Sequence, residues 1–337
     1  MRSDLVGEFA HRPAPSRKKI DPGEMSNRVI VISGPTATGK TRLSIEMAKI
    51  LGGEIVSADS VQVYRGMDIG TAKASLEERM DVPHHLIDIC DLCESFNVVQ
   101  FYEHATKAIQ EILSAGHVPI VVGGTGFYLH ALLYGPPQGP PASPEIRKTL
   151  EEDIEKFGTE ALYEKLCTLD RDYGMTINHR DKHKIIRALE IMTLTGKKVS
   201  DFPKGHVPNR PKDFDFRCWF TYFPKDILFS RIEMRCDEMM AQGFIEEVED
   251  LLNHGLKENL SASQAIGYRQ CIEFIESPRS DEDWEHFVWE FKKASRRYAK
   301  RQFTWFRREP LFRWVDLDVY GYQKALEMIL QDYESRY

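Results

Sequence analysis

The positions of hydrophobic and polar residues change their period sharply near the start of the chain. Arg28–Ser33 is a short, mostly β-branched run, which predicts a strand. Apolar residues then recur at helical spacing from Leu43 to Leu51, and a pair of glycines ends that pattern. Glu54–Asp59 predicts a second strand, buried on both faces. This part of the chain is therefore predicted to run strand, turn, helix, strand.

Strands and helices continue to alternate farther along the chain. His85–Ile89 and Val118–Val122 are predicted strands on either side of an amphipathic helix over Phe96–Ala115. Phe216–Tyr222 and Arg313–Asp318 predict two later strands. Helical patterns between them cover residues 225–252, 262–276 and 284–306. Because strands that alternate with helices pair in parallel, we predict an α/β fold with a doubly wound parallel sheet.

A purely helical stretch interrupts this alternation. Two proline-rich segments, Pro136–Pro144 and Pro203–Pro211, enclose it. The helical patterns between them cover residues 144–157, 160–169 and 181–195. The stretch is therefore a candidate insertion that could swing on its two linkers.

These patterns divide the chain into domains. We predict a helical insertion at 142–211 within a core formed by 28–141 and 212–320. Residues 321–337 are assigned to a C-terminal helix. Residues 1–27 contain prolines and charges with little to bury, which predicts a mobile tail.

Composition bounds the class of protein. The chain has 337 residues, 42% of them hydrophobic, which is enough for two domains with a sizeable core. No stretch approaches the ~20 apolar residues of a membrane span, and the first residues lack the apolar segment of a secretory signal. Six cysteines are too few for a disulfide framework in a chain this long, which favours a reducing compartment. We therefore expect a soluble, cytoplasmic and monomeric protein with no obligate protein partner.

One pair of cysteines has the spacing of a metal site. Cys90 and Cys93 are separated by two residues, but no second pair follows. Structural zinc requires four ligands, so two buried thiols are favoured over a zinc site.

The turn after the first predicted strand carries the clearest chemical signal. Gly34-Pro-Thr-Ala-Thr-Gly-Lys-Thr41 fits the phosphate-loop pattern G-x-x-x-x-G-K-[ST] at every fixed position. Glycines let backbone amides turn toward phosphate oxygens, Lys40 adds a positive charge, and the Thr41 hydroxyl can bind Mg²⁺. An ordinary strand-to-helix turn needs neither the lysine nor the second glycine. The motif predicts a bound diphosphate or triphosphate, and it does not distinguish a kinase, an ATPase and an enzyme with a diphosphate leaving group.

Charge is unevenly distributed along the chain. The net charge of −7 argues against indiscriminate nucleic-acid binding, yet residues 292–308 contain eight lysines or arginines and no acid. On a helix, positions 292, 296 and 300 and positions 293, 297 and 301 form two adjacent basic rows, with aromatic residues between them. A solvated helical face usually mixes its signs, so a phosphate-binding surface is favoured over it.

Several segments together carry a specific resemblance. After the phosphate loop they are Ser57–Lys73 (SADSVQVYRGMDIGTAK), Gly123–Tyr128 (GGTGFY), Gly267–Gln270 (GYRQ) and Ala299–Trp305 (AKRQFTW). In that order they resemble the tRNA dimethylallyltransferase family, also called tRNA isopentenyltransferases, from about Val29 to Asp318. Some eukaryotic members carry a C-terminal zinc finger, for which this sequence has no Cys/His cluster, so the bacterial type fits better.

The resemblance implies a P-loop NTPase-like catalytic core at 28–141 and 212–320, a tRNA-binding role for the insertion at 142–211, and a defined reaction. A dimethylallyl group passes from dimethylallyl diphosphate to N6 of the adenosine 3′-adjacent to the anticodon of tRNA, with Mg²⁺ as cofactor. That amine is a poor nucleophile because its lone pair is delocalised, so a carboxylate must accept its proton. The resemblance implies Asp59 as this general base, at the carboxyl edge of the sheet. The alternatives for Asp59 are that it caps its loop or that it contacts a direct ligand of the magnesium ion.

The resemblance also implies the residues that hold the donor. Lys40 and Thr125 share the catalytic role with Asp59, and Thr125 is expected close to the target base and the phosphates. The diphosphate-binding residues are Gly34, Thr36, Ala37, Thr38, Gly39, Lys40, Thr41, Arg231 and Arg235, with Thr41 as the metal ligand. The two arginines lie one helical turn apart, and a solvated helical face is the alternative for one of them.

The target base must leave its stack to reach the general base, so the protein is expected to bind a splayed anticodon stem-loop. The residues implied to contact tRNA are Asp59, Ser60, Val61, Gln62, Thr125, Arg147, His183, Lys184, Arg187, Gln264, Tyr268 and Arg269. The predicted helix over 181–195 divides into two sets. Ile185, Leu189 and Met192 are predicted to form a bundle core, and Lys182, Lys184 and Arg187 to face RNA.

Other functions are compatible with part of this pattern. An enzyme that prenylates free adenine nucleotides would need neither the insertion nor the basic helix. A small-molecule P-loop kinase would use ATP in place of dimethylallyl diphosphate. An RNA-binding protein with a degenerate phosphate loop is a non-enzymatic alternative, although nothing in Gly34–Thr41 is degenerate.

Overall fold

The computed structural model describes residues 27–202 and 214–335. Apart from Asn27, the predicted tail over 1–27 lies outside these ranges, and so does the predicted linker over Pro203–Pro211. None of the helices within the described ranges is long and apolar enough to cross a membrane.

A six-stranded sheet in which every pairing is parallel forms the centre of the molecule. The strands are β1 (Arg28–Ser33), β2 (Gly53–Ser57), β3 (His84–His85), β4 (Val118–Val122), β5 (Asp215–Tyr222) and β6 (Arg313–Asp316). Their spatial order is β3-β2-β4-β1-β5-β6. Ile30 on β1 lies opposite Ile120 on β4 and Arg217 on β5, so β1 is an inner strand. The predicted doubly wound α/β fold is confirmed.

Helices connect the strands and form the rest of the chain. The first seven are α1 (Lys40–Leu51), α2 (Leu76–Asp81), α3 (Val98–Ser114), α4 (Gly126–Tyr134), α5 (Pro144–Phe157), α6 (Thr159–Leu169) and α7 (Arg171–Gly174). The others are α8 (Lys182–Thr195), α9 (Lys225–Ala241), α10 (Phe244–Asn253), α11 (Leu260–Ser263), α12 (Tyr268–Ile275), α13 (Asp281–Phe306) and α14 (Leu317–Glu334). Short 3₁₀ turns lie at Val199–Asp201 and Leu256–Glu258.

Buried side chains form two separate clusters. One surrounds the sheet and includes Ile30, Ile120 and Phe220. The other lies within α5, α6 and α8 and includes Leu150 and Leu166. The helices from α5 to α8 therefore pack around a hydrophobic core of their own.

Some predicted elements differ from the structure. The predicted strand over His85–Ile89 was wrong, because Leu86 and Asp88 adopt positive φ angles of 62° and 56°, which end the extended backbone after two residues. The prediction missed α4, whose buried residues give it no amphipathic period. The predicted C-terminal helix begins earlier, at Leu317, and bends at Gly321, where φ is 70°.

A buried carboxylate ties the separate helical core to the segment that precedes it. Glu190 on α8 is fully buried, and its two oxygens accept hydrogen bonds from Arg147 at 2.9 and 3.1 Å. They also accept from Arg187 at 2.6 Å and from the Ser143 amide at 2.7 Å. Arg187 donates in addition to the Pro140 carbonyl at 2.6 Å. Burial raises the pKa of Glu190, but these hydrogen bonds outweigh burial and hold its pKa below the usual value.

We expect Glu190→Gln to lower the free energy of unfolding by about 1–3 kcal/mol, because two guanidinium groups lose the charge that they share. Because the pKa of Glu190 is lower in the folded protein, its stabilisation is present above about pH 4 and is lost as the pH falls further. Glu164→Gln, at an exposed position on α6, is the matched control and should have little effect. Urea unfolding at several pH values measures both variants, and equal stability at about pH 7 would contradict the prediction.

Candidate active site

A cavity of about 430 Å³ opens at the carboxyl edge of the sheet. The loops after β1, β2 and β4 line it with Lys40, Asp59 and Gly124. Across from the sheet, α9 contributes Arg235 and α13 contributes Tyr298. Because the carboxyl ends of parallel strands meet at one edge, segments far apart in the sequence converge on this cavity.

The phosphate loop depends on its glycines and on two neighbouring elements. A Cβ atom at Gly34 would lie 2.2 Å from the carbonyl oxygen of Thr221 on β5, too close for any side chain. At Gly39, where φ is 79°, a Cβ atom would lie 2.3 Å from the Tyr322 hydroxyl. That hydroxyl donates to the Thr38 carbonyl at 2.5 Å. Strand β5 and helix α14 therefore hold the loop in its curved form.

Lys40 lies within this curve. Its Nζ donates to the carbonyl oxygens of Gly34 at 2.9 Å and Pro35 at 2.7 Å. Burial and the positive charge of Arg235 lower the pKa of Lys40 to about 7, against the opposing effect of Asp59. An anion bound beside the ammonium group would raise this pKa again, because opposite charges favour the charged form.

Asp59 uses one carboxylate oxygen to cap its own loop. Oδ1 accepts from the amides of Val61 at 2.9 Å and Gln62 at 3.3 Å. Within the described residues, Oδ2 accepts no hydrogen bond from the protein. The carboxylate therefore combines the capping role with an oxygen that a substrate can reach from the cavity.

The two arginines of α9 lie differently. Arg235 lines the cavity, and burial lowers its pKa. Arg231 is exposed, donates to the Ala37 carbonyl at 2.9 Å and stacks 4.7 Å from the ring centroid of Phe223. Arg231 therefore contacts the phosphate loop from outside the cavity, and only Arg235 of the two lines the cavity.

A buried amide joins the phosphate loop to the glycine-rich loop after β4. The Gln302 Oε1 accepts from the Thr36 amide at 3.1 Å, and its Nε2 donates to the Gly124 carbonyl at 3.0 Å. A Cβ atom at Gly124 would lie 2.2 Å from that Nε2, so any side chain there would displace the bridging amide. The Ala299–Trp305 motif marked this segment of the sequence, but it did not reveal the bridge.

Tyr298 lines the cavity near Asp59, and Thr125, which does not line it, contacts both Tyr298 and the residue after Asp59. The Thr125 Oγ1 accepts from the Ser60 amide at 3.2 Å, and Tyr298 hydrogen-bonds to Thr125. Burial and the charge of Asp59 raise the pKa of Tyr298, so its phenol stays neutral. Tyr298 was not predicted as a site residue; its place directly before the Ala299–Trp305 motif is the signal that could have found it.

Known proteins share both sequence and structure with this chain. The family model described as IPP transferase matches residues 62–309, and the one described as isopentenyl transferase matches residues 27–88. The tRNA dimethylallyltransferase of Protochlamydia amoebophila is 57% identical over 308 residues, covering 91% of this chain and 89% of that protein. The chain belongs to the tRNA dimethylallyltransferase family. The family resemblance predicted from the motifs is confirmed.

Solved structures agree with this assignment. The tRNA isopentenylpyrophosphate transferase of Bacillus halodurans is 37% identical, with a TM-score of 0.65 over 92% of this chain and 97% of that one. A eukaryotic dimethylallyltransferase acting on tRNA is 28% identical, with a TM-score of 0.75 over 91% and 79% of the two chains.

A second sequence relative is the tRNA dimethylallyltransferase of Chlamydia trachomatis serovar D, which is 47% identical over 90% of this chain and 97% of that protein. The chlamydial relatives support the predicted bacterial type.

In this chain, the residues predicted to contact RNA fall into two groups. Those that line the cavity are Asp59, Ser60, Val61, Gln62, Gln264 and Tyr268. Those that do not line it are Thr125, Arg147, His183, Lys184, Arg187 and Arg269. In the second group Arg147 and Arg187 are engaged with Glu190, whereas His183 and Lys184 are exposed.

The predicted division of α8 holds for its apolar set. Ile185 and Leu189 are buried in the separate helical core, and Met192 packs against it. The basic set is less uniform, because Arg187 points to Glu190 while Lys184 lies 3.5 Å from Asp181 at the helix start.

Tyr268 supports the cavity wall instead of projecting freely. Its hydroxyl donates to Glu247 at 2.6 Å. The same carboxylate accepts from the amides of Asp68 at 2.9 Å, Ile69 at 2.6 Å and Gly70 at 3.2 Å. Glu247 therefore fixes the loop that brings Gly70 to the cavity. Nothing in the local sequence of α10 sets Glu247 apart from the other acidic residues of that helix.

Only part of the predicted basic surface on α13 is available to a partner. The cations Lys292, Lys293 and Arg296 pair with Asp237, Glu290 and Glu233. In the described part of the chain, no carboxylate lies within ion-pair distance of Arg297, Lys300, Arg301, Arg307 or Arg308. The unpaired charges are thus concentrated toward the C-terminal end of α13.

The donor groups in the cavity fit magnesium better than a structural metal. Thr41 and Asp59 both line it. No group of three or more His, Cys, Asp or Glu in residues 27–202 and 214–335 could hold a metal ion. Magnesium usually takes one or two protein ligands together with phosphates and water, so this sparse set suits Mg²⁺ bound with a diphosphate.

The Cys90 and Cys93 thiols are not part of this site. Cys90 is buried and Cys93 is exposed, so the prediction of two buried thiols was wrong for Cys93. Neither residue lines the cavity.

We expect Lys40 to take up a proton when inorganic diphosphate binds at about pH 8. Its pKa of about 7 leaves it mostly neutral there, and the bound anion stabilises the charged form. Calorimetry in buffers of different ionisation enthalpy measures the uptake. Lys40→Arg keeps a permanent charge at this place and should take up fewer protons. Equal uptake by the two proteins would contradict the assignment to Lys40.

Proposed function

We propose that this protein transfers a dimethylallyl group from dimethylallyl diphosphate to N6 of the adenosine 3′-adjacent to the anticodon of tRNAs, releasing diphosphate. One observation carries the proposal: a single cavity has a phosphate-binding loop on one side and the Asp59 carboxylate on another. Transfer of an alkyl group from a diphosphate to an amine needs an anion site for the leaving group and a base for the proton. Relatives named tRNA dimethylallyltransferase support this donor and acceptor.

On the donor side, charge must be neutralised as the bond between C1 and the diphosphate oxygen breaks. Lys40 and Arg235 are positioned for this, because both of these cationic side chains line the cavity. Lys40 can exchange its two carbonyl acceptors for phosphate oxygens. Thr41 would hold Mg²⁺, which supplies further neutralisation of the leaving group when bound.

On the acceptor side, adenosine N6 attacks C1 of the dimethylallyl group and gives its proton to Asp59. The Oδ2 oxygen takes this proton, because Oδ1 is held by the amides of Val61 and Gln62. The neutral phenol of Tyr298 and the Thr125 hydroxyl lie beside this carboxylate. They can orient the adenine base of the acceptor. The bond between N6 and C1 forms as the bond between C1 and the diphosphate oxygen breaks, and diphosphate leaves.

The RNA backbone would meet the positive charges outside the cavity. The unpaired cations near the C-terminal end of α13 and the exposed His183 and Lys184 on α8 are available for phosphates. Because tRNA is a cytoplasmic molecule, the proposal includes the cytoplasmic location that the sequence predicts for this protein. The monomeric state stays a prediction.

The decisive experiment is transfer of labelled dimethylallyl diphosphate to tRNA that lacks the modification, with magnesium present and ATP absent. We expect label on the adenosine beside the anticodon. Label on AMP but not on tRNA would favour a free-nucleotide prenyltransferase. No transfer to either acceptor, together with phosphoryl transfer in a separate assay that contains ATP, would favour a kinase.

The proposed general-base role of Asp59 can be separated from its role as a loop cap. We expect Asp59→Asn to lower turnover by about 10²–10⁴-fold, because the amide oxygen can still accept from the loop amides but cannot take a proton. Binding of tRNA should stay within a few fold, and the thermal midpoint should change little. Asp59→Ala loses both roles and should also be less stable. Near-normal turnover of Asp59→Asn, measured by single-turnover transfer, would refute the general-base assignment.

A further inference from the structure

A second cavity, of about 670 Å³, lies beside the active site between α4 and α13. Phe127 and Trp305 form its aromatic side and are 45% and 39% exposed. Lys300, Arg301 and Arg308 also line it. The function proposed above gives the two aromatic side chains no role, and it gives the three cations only a general contact with RNA phosphates.

The aromatic side has a fixed geometry. The Trp305 ring meets the rings of Phe127 and His130 edge to face, at centroid distances of 6.3 and 6.2 Å. A Cβ atom at Gly126 would lie 2.4 Å from the Trp305 Cδ1, so the indole packs directly on the backbone of that glycine. His130 is held in turn by Glu309, which is buried, at 2.7 Å. Helix α4 therefore fixes the indole while part of its surface faces solvent.

The charged side suits an anion. In the described residues no carboxylate lies within ion-pair distance of Lys300, Arg301 or Arg308, and the acid of the cavity, Glu309, pairs with His130. An exposed aromatic ring beside several unpaired cations is the arrangement with which proteins bind single-stranded nucleic acid, because the ring stacks on a base and the cations contact phosphates.

This cavity adjoins the place of the target base. Arg301 lines both cavities. Thr125, whose Oγ1 accepts from the Ser60 amide beside Asp59, is followed directly by Gly126 and Phe127. A strand of RNA that places one base next to Asp59 therefore has its neighbouring nucleotides within reach of Trp305.

We propose that the second cavity binds another unstacked nucleotide of the anticodon loop, one that neighbours the target adenosine. Its base stacks on Trp305, and its phosphate contacts Lys300 and Arg308. This inference rests on the proposed function, because it takes the RNA loop as the partner. Stacking tolerates any base, so the site selects a splayed loop and not a sequence.

The test uses anticodon stem-loops that carry one abasic nucleotide, placed in turn at each loop position except the target. For the unchanged protein, we expect one position next to the target to lose about 5- to 150-fold in affinity when it is abasic. Trp305→Ala should lose a similar factor on the intact loop and should be insensitive at that one position. Trp305→Phe keeps a ring and should retain part of the sensitivity.

Trp289→Ala is the matched control, since this indole is 52% exposed on the same helix and lies outside the cavity. It should keep the full abasic profile. If the unchanged protein and Trp305→Ala show the same profile at every position, the second nucleotide site is wrong. Trp305→Leu, which also lacks a stacking ring, replaces the alanine variant if that variant does not fold.

Transfer to the intact stem-loop, measured in parallel, tests the proposed function separately. No transfer by the unchanged protein would contradict that function. Normal transfer together with identical abasic profiles would contradict only the second nucleotide site.

Discussion

The hydrogen bonds of Gln302 set the spacing between the two sides of the active site. One buried amide group accepts from the phosphate loop at Thr36 and donates to the glycine-rich loop at Gly124. The first loop is placed to hold the leaving group, and the second leads to Thr125 beside the proposed base. A side chain that satisfies both backbones leaves little freedom for either loop to move alone, because breaking it would leave buried polar groups unpaired.

The charges in the cavity balance only when an anion is present. Lys40 and Arg235 repel one another, and burial lowers the pKa of both. Asp59 offsets part of this effect, but its carboxylate is also engaged with its own loop. A diphosphate would relieve the repulsion and return Lys40 to its charged form. The site is therefore organised for an anionic ligand whose departure or arrival changes its protonation.

Helix α13 connects the parts of the molecule that the proposed reaction needs. Its Gln302 accepts a hydrogen bond from the phosphate loop, and its Tyr298 hydrogen-bonds to Thr125. Its exposed side carries Arg301 and Trp305 to the second cavity. Gln302 and Trp305 are three residues apart, so they lie one turn apart on the same rigid helix. This helix therefore reaches both the phosphate loop and the proposed RNA surface.

The sequence by itself determined the features that depend on neighbouring residues. The strand at Arg28–Ser33, the phosphate loop after it and the helix over Pro144–Phe157 follow from local periodicity, glycine positions and capping, and the structure places them as predicted. The family also followed from short motifs in their order. Local signals failed at α4, which is buried without a period, and at residues 86–89, where positive φ angles end the strand.

Only the tertiary structure decided which partners the polar side chains have. Gln302 and Thr36 are 266 residues apart, and Glu247 and Gly70 are 177 residues apart, so no local pattern could pair them. In the same way, Arg147 and Arg187 read as free cations in sequence, yet both bind Glu190. Hydrogen bonds and ion pairs require atoms to meet within a few ångströms, and the packing of distant elements alone brings them together.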